Sequence, residues 1–421
     1  MKHLIIKKLG PIQDVEIELK RINLLIGEQS SGKSTINKTA CYCSWVEKEI
    51  SIAQSPADFE KKGIFELRFS EFHKLNGFIV PETYIEYETD VMRFSFSKKE
   101  DAFHFEWKDR WAYIRSKTIY IPAERNIVAA IPNWFDVNLE KNNIRSFMSD
   151  WEEARNYYSN EPTQILDLGV KYAFDKNNRK DTVMISENKT LDFTNVSSGL
   201  QSLVPLWLLL KYVTEGIYKE RQKDSVAREY QNKKLIDRIY SWVLKAGGTS
   251  YLLALKDFGI PRKIYNIKHY FANKEQAKEF ERIAYHFINL HYSNIFLEEP
   301  EENLYPFTQR ELIYQMVALL NGPRAHNLFI TTHSPYILTS VNNLLFASAV
   351  GKSKKKESQK IISQKYWVNF EDVGAWFVKN GSVTSILDPK LKQIKAEKID
   401  EVSRKLNREY DKLSDLEYEV D

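Results

Sequence analysis

The sequence predicts an α/β fold with a mixed central sheet, an antiparallel β subdomain and a helical insertion. Short β-rich runs crowd the N-terminus and residues 65–121, two buried-strand runs lie between residues 294 and 333, and a Lys- and Arg-rich helical stretch occupies residues 216–290. The 421 residues, 43% hydrophobic and 13% aromatic, suffice for one large domain with insertions or for two domains. We predict a domain over residues 1–350 and a tail over residues 351–421.

The first strands and the β subdomain follow from short alternating patterns. Three β-rich runs open the chain, with Gly10 and Pro11 as a turn: "HLIIKKL", "DVEIELK" and "INLLIG". Helical spacing follows in "KSTINKTACYCSWV". Alternation in the next region predicts a mostly antiparallel sheet with one solvated face, in the runs "FELRF", "TYIEYET", "RFSFS", "AFHFEW" and "KTIYIPA".

The second half of the sequence predicts helices and hairpins, followed by a parallel sheet. Helices are predicted over residues 139–160 and from Gly199 to about Glu215, with a hairpin-rich segment between them. "SNIFLEE" and "HNLFITTHS" are two buried strands around a helix that begins near Pro306, which is typical of a parallel sheet. A basic loop (351–360), short strands and an acidic tail of two amphipathic helices complete the prediction.

Charge, hydropathy and cysteine usage exclude some classes of protein. The net charge of +4 and the pI near 8.6 are mildly basic and do not by themselves establish a nucleic-acid partner. No apolar run approaches the ~20 residues that cross a bilayer, and the N-terminus is too short for a signal peptide, so we expect a cytoplasmic protein without a membrane partner. Cys41 and Cys43 are expected to be core thiols rather than a metal site or a disulfide.

Residues Gly27 to Ser34 match the phosphate-binding pattern G-x-x-x-x-G-K-[ST], after an apolar strand and before a helix. Backbone N–H groups of such a loop cradle phosphates at a helix N-terminus, where the dipole favours negative charge. Lys33 neutralises phosphate oxygens and the Ser34 hydroxyl ligates Mg²⁺. The motif predicts ATP and Mg²⁺ as cofactors, bound by Gly27, Ser30, Gly32, Lys33, Ser34 and Thr35.

Two further motifs end buried strands. "NIFLEEPEENLYP" places Glu298 and Glu299 at the sheet edge beside the loop, where the first acid holds Mg²⁺ through water and the second activates the attacking water. A solvated acidic loop is the alternative. "FITTHSPYIL" places His333 after the next strand, where its imidazole can donate to a γ-phosphate oxygen or to water. A lone histidine in this position is otherwise structural.

A fourth motif precedes a helix. "NVSSGLQSLVPL" places Ser197, Ser198 and Gly199 at the helix start, where free N–H groups and a hydroxyl offer a second anion site. An N-capped core helix explains these residues equally well.

In this order the four motifs resemble those of ABC-class ATPases, most closely the branch that includes the structural-maintenance-of-chromosomes (SMC), RecF and OLD-type proteins. "GEQSSGKST" resembles the Walker A motif, "VSSGLQS" the signature, "FLEEPEENLYP" the Walker B motif with the D-loop, and "TTHSPYIL" the H-loop. The wording "EEPEENLYP" and "YIPAERN" is similar to ATPase subunits of bacterial phage-defence systems such as PARIS and Septu. The resemblance covers most of residues 1–345.

The resemblance implies an ABC-type P-loop ATPase head in which ATP clamps two chains together. Glu299 is then the catalytic base and His333 the switch histidine, while Ser198 and Gly199 contact the γ-phosphate held by the opposite protomer. The sequence departs from the family in three places: Glu298 replaces the usual Asp, the signature reads SSGLQ, and "PAERN" stands where a Q-loop glutamine is expected. Glu124 or Arg125 would substitute for that glutamine, and we assign Arg125 to the nucleotide site.

These features favour an ATPase that controls a separate effector protein. The wording of the signature disfavours a transporter ATPase, and the lack of long coiled-coil arms disfavours a chromosome-organising ATPase. A P-loop kinase would not explain His333. An OLD-type nuclease is disfavoured because no Asp-x-Asp pair follows Ser340. We expect an ATP-driven homodimer or larger assembly that controls a separate effector, such as a Toprim or HNH nuclease, in phage defence.

The alternative is an SMC/RecF-like repair ATPase that binds DNA directly through the basic insertion (219–274) and the basic loop (351–360). Because acids are interleaved through residues 219–245, a solvated charged face explains that stretch as well.

Overall fold

An eleven-stranded mixed sheet forms the centre of the molecule in the computed structural model, which describes residues 2–131, 140–219, 226–245, 271, 274–395 and 407–414. The strands are β1 (Lys2–Leu9), β2 (Ile12–Leu19), β3 (Ile22–Gly27), β4 (Ile79–Glu88), β5 (Met92–Ser97), β6 (Ala102–Trp107), β7 (Ser116–Ile121), β8 (Thr163–Ile165), β9 (Val170–Asp175), β10 (Lys180–Ser186), β11 (Lys189–Asp192), β12 (Tyr292–Glu298), β13 (Asn327–Thr332), β14 (Val373–Lys379), β15 (Ser382–Ser385), β16 (Leu387–Asp388) and β17 (Gln393–Ile394). The central order is β6-β5-β4-β1-β2-β15-β14-β3-β13-β12-β7.

Helices cover both faces of this sheet. They are α1 (Lys33–Ala53), α2 (Ile64–His73), α3 (Ile127–Ala130), α4 (Asn143–Tyr157), α5 (Ser198–Thr214), α6 (Val226–Lys245), α7 (Lys274–Ile288), α8 (Pro306–Leu320), α9 (Pro335–Gly351) and α10 (Lys355–Ile361), with a further helix over 407–414. Alternate side chains of β12 enter two separate cores: Phe296 packs with α1, α2, α6 and α7, whereas Ile295 and Leu297 pack with α4, α5, α8 and α9. The buried strand therefore has apolar residues on both faces.

The predicted parallel sheet is confirmed. β13 pairs in parallel with both β12 and β3, and β3 pairs in parallel with β14. Every residue of β3 is buried, as expected for a strand with helices on both faces. The carboxyl ends of β3, β12 and β13 consequently meet at one edge, where the phosphate loop, the acid pair and His333 all follow their strands.

The antiparallel half of the sheet is formed by β2-β1-β4-β5-β6. Its strands match the predicted runs, but "FELRF" is wrong as a strand because it lies in helix α2. Phe65, Phe69 and His73 are buried at a spacing of four, whereas Leu67 is 50% exposed. Phe65, Leu67 and Phe69 fit the period of a strand, but the longer pattern that includes His73 is helical.

Two other predicted boundaries differ from the structure. β7 belongs to the run of strands within residues 65–121, yet it lies at the opposite edge of the sheet, where it pairs in parallel with β12. β14 and β15 lie inside the central sheet although they belong to the predicted tail, so the boundary at residue 350 does not separate two sheets. The predicted basic loop 351–360 is largely helix α10. These segments could not be placed from their local pattern, because strand order depends on distant pairing.

The hairpin-rich segment forms a separate four-stranded antiparallel sheet of β8 to β11. Trp151 of α4 is fully buried and packs against Tyr172 and Phe193, with ring centroids 5.6 and 6.3 Å apart. This packing fixes the small sheet beside the start of α5. Helices α4 and α5 confirm the two predictions at 139–160 and 199–215.

Several remaining predictions are tested only in part. α6 and α7 confirm helices in the insertion, and residues 246–270 lie outside the described part of the chain. Most of the predicted tail helices also lie outside it. Cys41 and Cys43 are free and buried, as predicted. Among the described helices, none combines the length and apolarity needed to cross a membrane.

Candidate nucleotide-binding site

The phosphate-loop motif forms a tight turn from β3 into α1. Gly32 has a φ of 105°, a left-handed conformation that favours glycine, and a Cβ at this position would collide with Ile12. A Cβ on Gly27 would collide with the Val378 carbonyl of β14. The two motif glycines are therefore required by backbone geometry. Ser30 also has a positive φ, of 58°, and the Ser31 hydroxyl has no hydrogen-bond partner among the described residues.

Lys33 points back into the loop. Its side chain is 5% exposed, and its Nζ donates hydrogen bonds to the carbonyls of Gly27 (3.0 Å) and Glu28 (2.7 Å). Burial lowers the pKa of Lys33, and the charges of Glu299, Glu301 and Glu298 oppose that change. A buried ammonium group thus lies against two backbone carbonyls of the loop, within reach of the charges of the acids at and after the end of β12. The two neutral carbonyls are partners that an anion could replace.

Glu298 is the last residue of β12 and is almost entirely buried, at 6% exposed. Its Oε1 has no hydrogen-bond partner among the described residues. The Tyr120 hydroxyl lies nearby: burial, and then the charge of Glu298, raises the pKa of Tyr120, so the phenol stays protonated. A buried carboxylate with a free oxygen at the strand end is suited to hold a cation or its water shell.

Glu299 follows in a left-handed conformation, with a φ of 42°. Its N–H donates to the carbonyl of Thr331 on β13 (2.9 Å), which holds the main chain against the neighbouring strand. The side chain is 38% exposed, and its Oε1 lies 3.4 Å from Nε2 of His333. Such a backbone is uncommon for glutamate and persists only where its surroundings enforce it. The structure therefore brings the predicted base and the predicted switch histidine together.

Glu301 is a site residue that the sequence analysis did not single out. Its Oε1 accepts hydrogen bonds from the His333 N–H (2.6 Å) and from the Thr332 hydroxyl (2.8 Å), so it ties the acid loop to the histidine loop. Its Oε2 is buried without a partner among the described residues. The third acid of "EEPEEN" was the available signal, but its partner could be found only from the packing of β12 beside β13.

Arg125 does not lie where its predicted role requires. The side chain is fully buried, and its guanidinium donates to the carbonyls of Glu298 (2.9 Å), Glu299 (2.7 Å) and Pro122 (3.3 Å). Its Nη2 also lies 3.6 Å from a carboxylate oxygen of Glu302. These contacts hold the acid loop from beneath and are all within the protein. The neighbouring Glu124 is exposed, so it is the member of "PAERN" that can reach a ligand.

We expect Arg125→Met to destabilise the fold by about 3 kcal/mol, because it leaves buried carbonyls and the Glu302 carboxylate without their donor. Urea unfolding of the ligand-free protein measures this loss. Arg282→Met is the matched control, since Arg282 is 48% exposed and pairs at the surface with Glu279, which is 43% exposed, so a loss within about 0.5 kcal/mol is expected. Equal midpoints for the two variants would contradict the structural role of Arg125.

The predicted signature lies at the start of α5. Ser198 is the first residue of the helix and Ser197 its N-cap, and both are exposed. The Ser197 side chain makes no capping hydrogen bond, so the interpretation as an ordinary N-cap is not supported. A Cβ on Gly199 would lie 2.9 Å from the carbonyl of Asn303, in the loop after the acids. The helix start thus packs beside the acid loop and presents its serines to solvent.

A cavity of about 340 Å³ adjoins the phosphate loop. It is lined by the loop itself, the β1–β2 turn and the β14–β15 turn, with Gln13, Ser30 and Asn380 among its residues. A larger cavity of about 710 Å³ lies between α2 and the start of β4. None of the predicted site residues lines it, so the smaller cavity is the one relevant to a nucleotide.

The residues present fit a magnesium ion that is bound chiefly through a ligand. No group of three or more His, Cys, Asp or Glu side chains in the described ranges could hold a metal ion alone. Mg²⁺ in nucleotide sites takes one or two protein ligands and completes its shell with phosphate oxygens and waters. The free buried oxygen of Glu298 and the half-buried Ser34 at the start of α1 meet that smaller requirement.

Comparison with known proteins gives similarity at the level of whole structures only. No family model matches the chain, and no curated protein matches it. The SMC head domain from Thermotoga maritima is 9% identical with a TM-score of 0.34, over 80% of this chain and 90% of that one. The recombination mediator protein RecF with ATP is 10% identical with a TM-score of 0.29, over 91% and 98%. An SMC head bound to the C-terminal domain of ScpA, from Pyrococcus furiosus, is 12% identical with a TM-score of 0.28, over 96% and 100%.

Proposed function

We propose that this chain is an ABC-type ATPase head that binds ATP with Mg²⁺ and hydrolyses it. One observation carries the proposal: buried Lys33 lies inside a glycine-containing loop at the end of β3, within electrostatic reach of Glu298, Glu299 and Glu301 at the end of β12. A cation in a nest of N–H groups favours phosphate, and acids beside it supply metal binding and base chemistry.

The loop would hold the phosphates through the N–H groups between Gly27 and Thr35, with Ser30 and Gly32 in the conformations that direct those groups inward. Lys33 would exchange its two carbonyl partners for phosphate oxygens. The adjoining cavity of about 340 Å³ has room for part of a nucleoside next to Ser30. Ser34 and Glu298 would hold Mg²⁺, which supplies positive charge to phosphate oxygens when bound.

Glu299 would act as the general base. Its carboxylate is 38% exposed, which leaves it accessible to water, and the 3.4 Å approach of His333 orients it. The histidine loop is in turn held by Glu301. His333 would therefore couple the occupancy of the site to the position of the base.

We further propose that ATP joins two copies of the chain. Ser197, Ser198 and Gly199 stand exposed or half-exposed at the start of a 17-residue helix, where free N–H groups favour an anion. A second copy would supply that anion as the γ-phosphate of its own ATP. Control of a separate effector such as a nuclease, in phage defence, rests on the motif resemblance alone.

A second candidate function is direct binding of DNA. α10 and the residues before it expose a cluster of lysines, namely Lys352, Lys354, Lys355, Lys356 and Lys360. Clustered lysines attract nucleic-acid phosphates, and such binding weakens steeply with salt. A solvated charged face would have the same exposure, so the salt dependence decides between them.

Light scattering of the full chain with and without MgATP, followed by titration with duplex DNA at several salt concentrations, tests both candidates. We expect ATP to double the mass of the wild type and leave Ser198→Arg monomeric, while Ser241→Arg, an exposed serine on α6, behaves as the wild type. A monomer at all ATP concentrations would refute the composite site. Tight DNA binding with a steep salt slope would favour the repair ATPase.

A further inference from the structure

We infer that Asn37 and Tyr120 are positioning residues that donate to one oxygen of the Glu298 carboxylate, so that its other oxygen faces the metal. This inference rests on the proposed function, because it concerns the metal side of the same site. It gives a role to two side chains, on α1 and β7, that are not among the predicted site residues. It also explains how a glutamate can stand where the related ATPases carry the shorter aspartate.

The register of β7 against β12 places Tyr120 next to Glu298, on the neighbouring strand. Tyr120 pairs with Phe296 in this parallel ladder, and both side chains belong to the core on the α1 face. Side chains alternate along a strand, so Glu298, two residues after Phe296, lies on that same face. Tyr120 is therefore the diagonal neighbour of Glu298, within reach of a long side chain. His73 packs against its ring with centroids 5.3 Å apart, which limits where the hydroxyl can point.

The position of α1 over β12 places Asn37 above the same carboxylate. The Ser44 hydroxyl accepts a hydrogen bond from Asn294 on β12 (2.9 Å) and lies 3.3 Å from Thr118 on β7, which fixes the helix over these strands. Asn37 precedes Ser44 by two helical turns, or about 10 Å on the same side of the helix. Glu298 follows Asn294 by about 13 Å of strand. The N-terminus of α1 lies at the same edge of the sheet as the C-terminus of β12. The step from Ser44 back to Asn37 and the step from Asn294 on to Glu298 therefore both lead towards that edge, and they bring Asn37 close to Glu298.

The polar atoms around the Glu298 carboxylate lack close hydrogen-bond partners in the described part of the chain. Asn37 is 1% exposed and Tyr120 is 4% exposed, and neither the Asn37 amide nor the Tyr120 hydroxyl makes a hydrogen bond of 3.5 Å or less to a described residue. The Tyr120 hydroxyl is nevertheless close to the Glu298 carboxylate, because burial, and then the charge of Glu298 and a long hydrogen bond to it, raise the pKa of Tyr120. Oε1 of Glu298, the oxygen that would face the metal, is unpaired as well. Buried polar groups are normally paired, so several unpaired groups at one point indicate a state in which they pair. The amide and the phenol are donors, and the carboxylate is the acceptor that they share.

Binding of MgATP supplies the reason for pairing. A carboxylate that turns one oxygen towards a metal needs donors on its other oxygen, and such outer partners contribute about 10- to 100-fold to metal affinity. The extra methylene of Glu298 gives the carboxylate more rotamers than an aspartate has. Two fixed donors, one from the helix above and one from the strand beside it, restrict that freedom.

The test measures Mg²⁺ dependence rather than turnover. A fluorescent ATP analogue is titrated with Mg²⁺ in the wild type, Tyr120→Phe and Asn37→Leu, and again in EDTA. We expect the half-saturating Mg²⁺ concentration to rise about tenfold in both variants, with unchanged affinity for the analogue in EDTA. Tyr113→Phe is the control, because this equally buried tyrosine (3% exposed) packs against Phe287 instead of the acid loop.

A second measurement separates positioning from folding. Urea unfolding without nucleotide should leave the midpoint of Tyr120→Phe nearly unchanged, because the hydroxyl that is removed makes no hydrogen bond of 3.5 Å or less in that state. Unchanged Mg²⁺ dependence in both variants, with a wild type that requires Mg²⁺, would overturn the inference alone. A wild type that binds no nucleotide would instead refute the proposed function.

Discussion

Replacing Lys33 with alanine is expected to weaken ATP binding by roughly 100-fold. The ammonium group is the buried cation inside the phosphate loop, and its two partners in the ligand-free state are neutral carbonyls. Charge-assisted hydrogen bonds to phosphate contribute about 2–3 kcal/mol, so removal of the side chain should weaken binding by roughly 100-fold. Equilibrium titration with a fluorescent ATP analogue, with Mg²⁺ present, measures the change.

Lys38→Ala is the matched control, because Lys38 lies five residues further along α1 and outside the loop. This variant should bind ATP as the wild type does. The fold of Lys33→Ala should persist, since truncation of the side chain leaves room for water to replace the amine in a loop whose residues Glu28 to Ser30 are exposed. Binding of ATP by Lys33→Ala with wild-type affinity would show that the loop is not the phosphate site.

Replacing Glu299 with glutamine is expected to keep ATP binding and stop hydrolysis. Glutamine has nearly the same shape and can still contact His333, but it cannot accept the proton of the attacking water. Loss of a general base typically lowers the rate by about 10²–10⁴-fold. Phosphate release under saturating MgATP measures turnover, and light scattering measures assembly. The variant should accumulate as the ATP-bound dimer.

Glu311→Gln controls for the change of charge, since Glu311 lies on α8 and pairs with Gln315. It should hydrolyse ATP at the rate of the wild type. Normal turnover by Glu299→Gln would show that another group activates the water, and the exposed Glu124 would be the next carboxylate to replace.

The placement of the candidate site residues was predictable from the sequence wherever these residues follow buried strands directly. Gly27, Lys33, Glu299 and His333 were found because each motif combines an apolar run with a polar residue at its end. Parallel strands bring such ends to one edge, and the pairing of β3, β13 and β12 confirms this placement. The fold class was predictable for the same reason.

What the sequence could not predict depends on contacts between distant segments. Arg125 was assigned to the nucleotide site because "PAERN" stands where the resemblance places a Q-loop glutamine, whereas β7 pairs with β12 and turns the guanidinium under the acid loop. Tyr120 and Asn37 look like ordinary strand and helix residues until the register of β7 and the position of α1 are known. Phe65 and Phe69 show the local limit, since their spacing fits a strand and a helix alike.

The place of β14 in the sheet bears on how the protein is made. β3, which carries the phosphate loop, pairs Ile22 with Leu328 and with Val373, so both of its neighbours are synthesised long after it. Contacts so distant along the chain form late, and domains complete their folding only as their last strands leave the ribosome. The nascent chain therefore carries its phosphate-loop motif without a finished loop. Nucleotide should first bind after translation has passed β14, which would keep incomplete chains from joining the proposed ATP-dependent assembly.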